Sequence, residues 1–151
     1  MTHPPRTRED RRQDTLDRLG RDVDVWVATA DAAAGVPYLT PLSFLWDGST
    51  LLLSTPAASP TGRNLRASGR VRLGLGLTRD VTVIEGTVQE TIPAADMPAG
   101  PGDDFEAKTG FDPRAEAGDY LYFRIRPSRI QAWREANELS GRDLMRDGEW
   151  L

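Results

Sequence analysis

Residues Ser54 to Leu77 read STPAASPTGRNLRASGRVRLGLGL. The stretch leaves an apolar run, passes through small residues and prolines, opens a short helix near Pro60 or Thr61, and re-enters a strand. In that strand Val71, Leu73, Leu75 and Leu77 fall on one face and Arg72, Gly74 and Gly76 on the other. A helix at this place aims its free N–H groups and positive dipole end outward. Ser54, Thr55, Ser59, Thr61, Arg63 and Asn64 add donors nearby. This is an anion site in outline, set against an ordinary capped helix with Leu65 packed inward and Arg63 and Arg66 solvated. Two glycines on one strand face mark a close approach to the backbone, either by another segment or subunit or by a flat ring.

Upstream, Thr7 to Gly20 carries Leu16 and Leu19 among charges and reads as an amphipathic helix behind a proline-containing tail. The period changes to two at Val23. VDVWVATA, VPYLTPLSFLW and LLLSTP are three antiparallel strands, joined by AAAG and the tight turn DGST. Downstream, a turn at Arg79 and Asp80 leads into the strand VTVIEGTVQE. IPAADMPAGPGDD is a loop, and DDFEAKTGF a short helix capped by Asp103 or Asp104. YLYFRIRP and RIQAW form the last long strand, where Pro127 lacks an N–H and implies a sheet edge or a bend. GRDLMRDGEWL is a small hairpin turning at Asp147 and Gly148. The expected architecture is mainly β with a few short helices, a barrel of about six antiparallel strands favoured because closure removes edges. Residues 1–22 are tail and helix, 23–135 the barrel, and 136–151 a hairpin tail, all in one domain.

The 151 residues, 38% of them hydrophobic, suit one domain with a real core. A net charge of -4 without a continuous basic stripe argues against nucleic acid as a partner. No apolar window is long enough to span a bilayer, and MTHPPRTREDRRQDTLDRLG is charged where a signal peptide is apolar. A cytoplasmic protein with no membrane partner is expected. The lack of cysteine excludes disulfides, a thiolate nucleophile and sulfur metal sites. Lys108 is the only lysine among 19 basic residues, and the arginine excess suits either anion recognition by guanidinium forks or a GC-rich genome.

The only histidine, His3, lies in the tail, which leaves no Ser-His-Asp triad, histidine metal cluster or histidine general base. No metal site is expected. The carboxylates sit mostly in the tail, turns and loops, with Glu85 in mid-strand the exception. GLGL at 74–77 lacks the third glycine and the strand-to-helix context of a dinucleotide fingerprint. If the chain is an enzyme, a cofactor brings the reactivity and the protein supplies binding and orientation.

The order of a leading helix, VWVATA, GVPYLTPLSFLWDGSTLLLSTP, the crossover SPTGRNLRASGRVRLGLGL and YLYFRIRPSRIQAWRE resembles the pyridoxamine 5'-phosphate oxidase-like split barrels, also called flavin/deazaflavin oxidoreductases. The likeness covers residues 8–135. It implies a bound FMN or coenzyme F420, a small conjugated substrate, and a homodimer with the cofactor at the interface. By this likeness the strand Pro37 to Phe44, with Leu39, Thr40, Pro41, Leu42 and Ser43, lies along the ring. Ser54, Thr55, Thr61 and Arg63, beside Asn64, hold the phosphate. Many members carry a lysine two residues before the position of Arg63, where this chain has Thr61. The phosphate contact therefore falls to Arg63 alone or the cofactor is held weakly, and Lys108 lies too far along the chain to be assigned as a replacement. The final ELSGRDLMRDGEWL lacks a counterpart in the vitamin-oxidase members, and the oxidase reaction itself is not carried over.

Two functions follow. One is an oxidoreductase that moves a hydride between FMN or F420 and a small conjugated substrate. The other is a non-catalytic module of the same fold that binds a flavin, haem or other flat ligand as a carrier or sensor. In RIQAWREANEL a large aromatic and a cation follow the final strand, so Trp133 and Arg134 are expected to complete the pocket across the dimer interface. The other reading of Trp133 is a plug closing its own barrel.

Overall fold

The computed structural model describes residues 3–151. Thr7 opens helix α1 (Arg8–Arg21). Its hydroxyl accepts from the Asp10 N–H at 3.0 Å, and the Asp10 carboxylate accepts from the Thr7 N–H at 3.4 Å. Glu9 and Asp10 sit at the positive end of the helix dipole and Arg18 and Arg21 at its negative end, which stabilises both termini. The buried stripe is Arg11, Thr15 and Leu19. Arg11 tolerates burial because its guanidinium donates to the carbonyls of Ala132 and Glu138, at 3.1 and 2.9 Å, tying the helix to the far end of the chain. Among the described residues no helix is long and apolar enough to cross a membrane.

Eight strands form one antiparallel sheet among the described residues: β1 (Asp24–Ala30), β2 (Pro37–Trp46), β3 (Leu51–Pro56), β4 (Arg70–Leu77), β5 (Asp80–Pro93), β6 (Tyr120–Trp133), β7 (Asp143–Arg146) and β8 (Glu149–Trp150). Their order is β3-β2-β1-β4-β5-β6-β7-β8, and β3 also pairs with β6. The first six therefore close into a barrel, as the period-two runs predict. Helix α2 (Pro60–Ser68) links β3 to β4, and helix α3 (Ala99–Thr109) lies between β5 and β6. Alternate side chains fill the interior: Val25 and Val27, Leu51 and Leu53, Leu73 and Leu75, Phe123 and Ile125, none more than 2% exposed. Each such burial contributes roughly 1.5–3 kcal/mol.

The barrel is not zipped evenly. β2 meets β3 only where Phe44, Leu45 and Trp46 face Leu53, Leu52 and Leu51. From Pro37 to Ser43, β2 pairs with β1 alone, and from Ser54 to Pro56, β3 pairs with β6 alone. Each segment thus has one edge of backbone without a strand partner, and Pro41, which has no N–H to donate, falls on such an edge.

Several boundaries differ from the sequence reading. Leu77 is 76% exposed, outside the core, because Gly76 takes φ 85 and turns the strand end away from the interior. Gly76 is approached by another segment, the Arg18 guanidinium, which occupies the space of an added Cβ; at Gly74 the nearest atom to such a Cβ is Trp26 Cβ at 3.8 Å. β5 runs on to Pro93, and α3 begins at Ala99 after Pro98, which makes no side-chain capping bond. Asp103 and Asp104 are therefore not its cap. The first turn of a helix needs no N–H donors, so Pro101 is tolerated there, and Asp103 instead pairs with Arg114 at 2.9 Å. Pro127 lies inside continuous β6, opposite Gly86, where the register with β5 shifts, so the bend is realised as a bulge. The terminal hairpin turns at Asp147 (φ 52) and Gly148 (φ 79) and pairs with β6, and its Leu144 and Met145 join the barrel core.

Candidate functional site

Where β2 and β3 part, a cleft of about 360 Å³ opens. Pro41, Leu42 and Ser43 line one side, and Ser54, Thr55 and Pro56 the other. Its remaining wall is Asp24 together with three aromatics, Phe105 on α3, Phe111 just after it, and Tyr120 at the start of β6. The Phe111 and Tyr120 rings lie 5.7 Å apart at 57°, and Phe105 stands edge-on to the buried Tyr122 at 5.5 Å, which fixes the wall. The hydroxyls are oriented by partners. Ser43 Oγ donates to Asp24 Oδ1 at 2.8 Å, Ser54 Oγ donates to the Leu121 carbonyl at 2.9 Å, and Thr55 Oγ1 and Ser59 Oγ share a hydrogen bond of 3.0 Å.

Ser59 also caps α2, accepting the Gly62 N–H at 3.0 Å. Gly62 has to be glycine, since a Cβ there would lie 2.9 Å from the Ala57 carbonyl oxygen and closer still to that of Pro56. Thr61 is 1% exposed, and its Oγ1 has no hydrogen-bond partner among the described residues. Arg63 is exposed and donates to the Ala58 carbonyl at 2.9 Å. It faces the β1–β2 turn, where the amides of Ala34 and Ala33, with Arg63 adding its charge, hold the Asp31 carboxyl below its usual range. Asn64 Nδ2 donates to Thr29 Oγ1 at 3.0 Å.

The cleft therefore brings together Pro41, Leu42, Ser43, Ser54 and Thr55. Thr61, Arg63 and Asn64 sit on the adjoining helix rather than in the lining, and Leu39, 61% exposed, stands opposite Ala28 with Thr40 beside it. Trp133 and Arg134 are at the other end of β6: Arg142 lies 5.5 Å over the Trp133 ring, and Arg134 Nε is 3.2 Å from Asp80 Oδ2. Glu85 is engaged by Arg72 on the neighbouring strand. Sequence reasoning missed Asp24, Phe105, Phe111 and Tyr120; one phenylalanine within a short helix and one just after it were the available signal. Lys108 rides on that helix with its ammonium 4.9 Å over the Phe44 ring, and burial lowers its pKa while Asp22 raises it.

Comparison with known proteins follows this geometry. The family model described as pyridoxamine 5'-phosphate oxidase matches residues 19–146. No curated protein matches the sequence. Among solved structures, one described as an F420 reductase superposes with a TM-score of 0.63 at 20% identity, covering 76% of this chain and 93% of its own. A FAD-binding protein from Mesorhizobium loti gives 0.58 at 18%, covering 79% and 89%. General stress protein 26 from Bacillus anthracis gives 0.56 at 16%, covering 84% and 96%. These likenesses carry the fold, and the match across nearly the whole barrel carries the kinship: the chain belongs to the pyridoxamine 5'-phosphate oxidase family of split barrels.

Proposed function

We propose that this chain is an oxidoreductase that uses a flavin-type cofactor, FMN or F420, on a small conjugated substrate in the cytoplasm. The observation that carries the reading is the parting of β2 from β3, which leaves two unpaired backbone edges beside an aromatic wall. Free N–H and C=O groups along an edge suit the polar rim of a heteroaromatic ring, and Phe105, Phe111 and Tyr120 suit its face. The residues fit such a group. Pro41, Leu42 and Ser43 would run along the ring, with Leu39 and Thr40 continuing that strand; Ser54, Thr55, Thr61, Arg63 and Asn64 would serve the phosphate end, with the buried unpaired Thr61 hydroxyl a donor in waiting. The cofactor, when bound, supplies the hydride chemistry; the chain binds it, orients it and excludes water.

The assembly that fits this reading is a homodimer. Trp26 is 52% exposed and Leu39 61% exposed on the outer face of β1 and β2, an apolar surface for a second copy. Because Trp133 and Arg134 stand far from the split within one chain, they reach a cofactor only across such an interface. The second reading, a flavin or haem carrier or sensor, is favoured by one observation: the ionisable side chains lining the cleft are Asp24, already engaged by Ser43, and Tyr120. Equilibrium dialysis against FMN and F420 tests both. The expected result is saturable binding at micromolar strength or better, about -8 kcal/mol, and reduction of the bound cofactor by a reductant, with turnover of an electron-poor enone, separates enzyme from carrier. Binding of neither cofactor removes the proposal.

A further inference from the structure

Away from the split, β6, β7 and the start of α1 border an open surface pocket of about 290 Å³ lined by Arg8, Arg129, Arg142 and Arg146, with Gln131 and a single carboxylate, Asp143. Four guanidinium charges face one negative charge, in a chain whose formal net charge is -4. Like charges gathered this way repel one another unless an anion sits among them. We propose that this pocket binds a multiply charged anion of the phosphate class.

The geometry holds the forks ready. Asp143 takes Arg129 Nε at 3.1 Å and Arg146 at 2.8 Å, and Gln131 donates to it at 2.8 Å. Arg146 and Arg129 in turn keep its carboxyl well below the usual carboxylate range, so it stays an acceptor for both. Arg142 lies over the Trp133 ring at 5.5 Å, which fixes its plane without consuming its N–H donors. Among the described residues neither Arg8 nor Arg142 has a carboxylate within ion-pair distance, and both line the pocket. Planar forks with spare donors suit phosphate oxygens in a way that a scatter of solvated lysines does not. Within one chain the pocket lies away from the split, Tyr120 there and Gln131 here being roughly 36 Å apart along β6; Trp133, which carries Arg142, is the residue that the proposed interface would bring toward a partner's cofactor.

Calorimetric titration of the full chain with pyrophosphate at constant ionic strength is the test. One saturable site per protomer is expected, weakened about tenfold or more in Arg142→Gln and in Arg146→Gln, and unchanged in Arg70→Gln, which lies elsewhere on the surface. A wild-type NMR titration, in which the Gln131 side-chain amide should shift, needs no variant to fold. Repeating the calorimetry with FMN or F420 bound identifies the source: competition assigns the pocket to the cofactor's own phosphate, and undiminished affinity to a separate phosphate-bearing ligand. No saturable binding at millimolar pyrophosphate, equal affinity in Arg142→Gln and Arg146→Gln, or an unmoved Gln131 amide overturns the proposal.

Discussion

The Arg18 guanidinium lies against the backbone of Gly76, in the space a side chain would need, and donates to the Asp80 carbonyl at 2.9 Å. Gly76 also holds φ 85, a conformation that L side chains rarely adopt. Gly76→Ala should therefore cost about 2 kcal/mol or more of stability. Gly74→Ala, two residues away, where an added Cβ would make only an ordinary contact with Trp26 Cβ at 3.8 Å, should change stability by less than about 1 kcal/mol. Urea unfolding of the two variants decides the matter, and equal midpoints would show that the contact is not what selects glycine.

Acid should loosen the N-terminal clamp. Glu138 is 2% exposed and accepts from the Arg6 guanidinium at 2.8 Å and from the Arg6 and Arg134 amides, which pull its carboxyl down to about 2. Because the folded value is depressed, the stabilisation is complete above the unfolded pKa near 4.3 and is lost as pH falls toward about 2; it amounts to about 3 kcal/mol. Glu138→Gln should lower stability at pH 7 and flatten its pH dependence between these limits. Denaturation curves at pH 6 and pH 3 that run parallel for wild type and variant would contradict this.

Cofactor affinity should respond to both ends of the proposed site. Arg63→Ala should remove roughly 1.5–3 kcal/mol of FMN or F420 binding, a charge-assisted contact, with little effect on folding. Phe111→Ala should cost about 1 kcal/mol through the ring wall and shift the absorption band of the bound cofactor. Fluorescence titration reports both, and unchanged affinity in Arg63→Ala would put the phosphate elsewhere.

Light scattering should report a dimer rather than the 16.7 kDa chain. Leu39→Glu and Trp26→Arg, placing charge on the exposed outer face, should yield monomers that keep their far-ultraviolet circular dichroism. Dimers that survive both substitutions would locate the interface on another surface.

Much of the barrel was legible because the signals are local. The period-two runs, the Ser59–Pro60 helix start and the Asp147–Gly148 turn each announce themselves within a few residues. The start of α3 did not, since Gly100, Pro101 and Gly102 are poor helix formers and the turn they make with Ala99 rests on docking against β2 and on Arg114 packed over Gly102. The cleft was half legible. Ser54 and Thr55 were pointed to by the crossover and Pro41, Leu42 and Ser43 by the family resemblance alone, but Phe105, Phe111 and Tyr120 reach it from a distant stretch of chain, and no spacing rule brings them together.

Along β3, Leu51 and Leu53 point into the core while Ser54 and Pro56 border the cleft, and along β2 Phe44 packs inside while Pro41 and Ser43 border it. Interior and cleft thus fall largely on different positions of the same two strands, with Leu42 serving both. On the proposed function, exchanging the half-buried Ser43, whose hydroxyl meets only Asp24, would retune which ring is accepted while Phe44, Leu51 and Leu53 keep the barrel shut, so ligand preference in such a scaffold would be free to drift without a toll on folding.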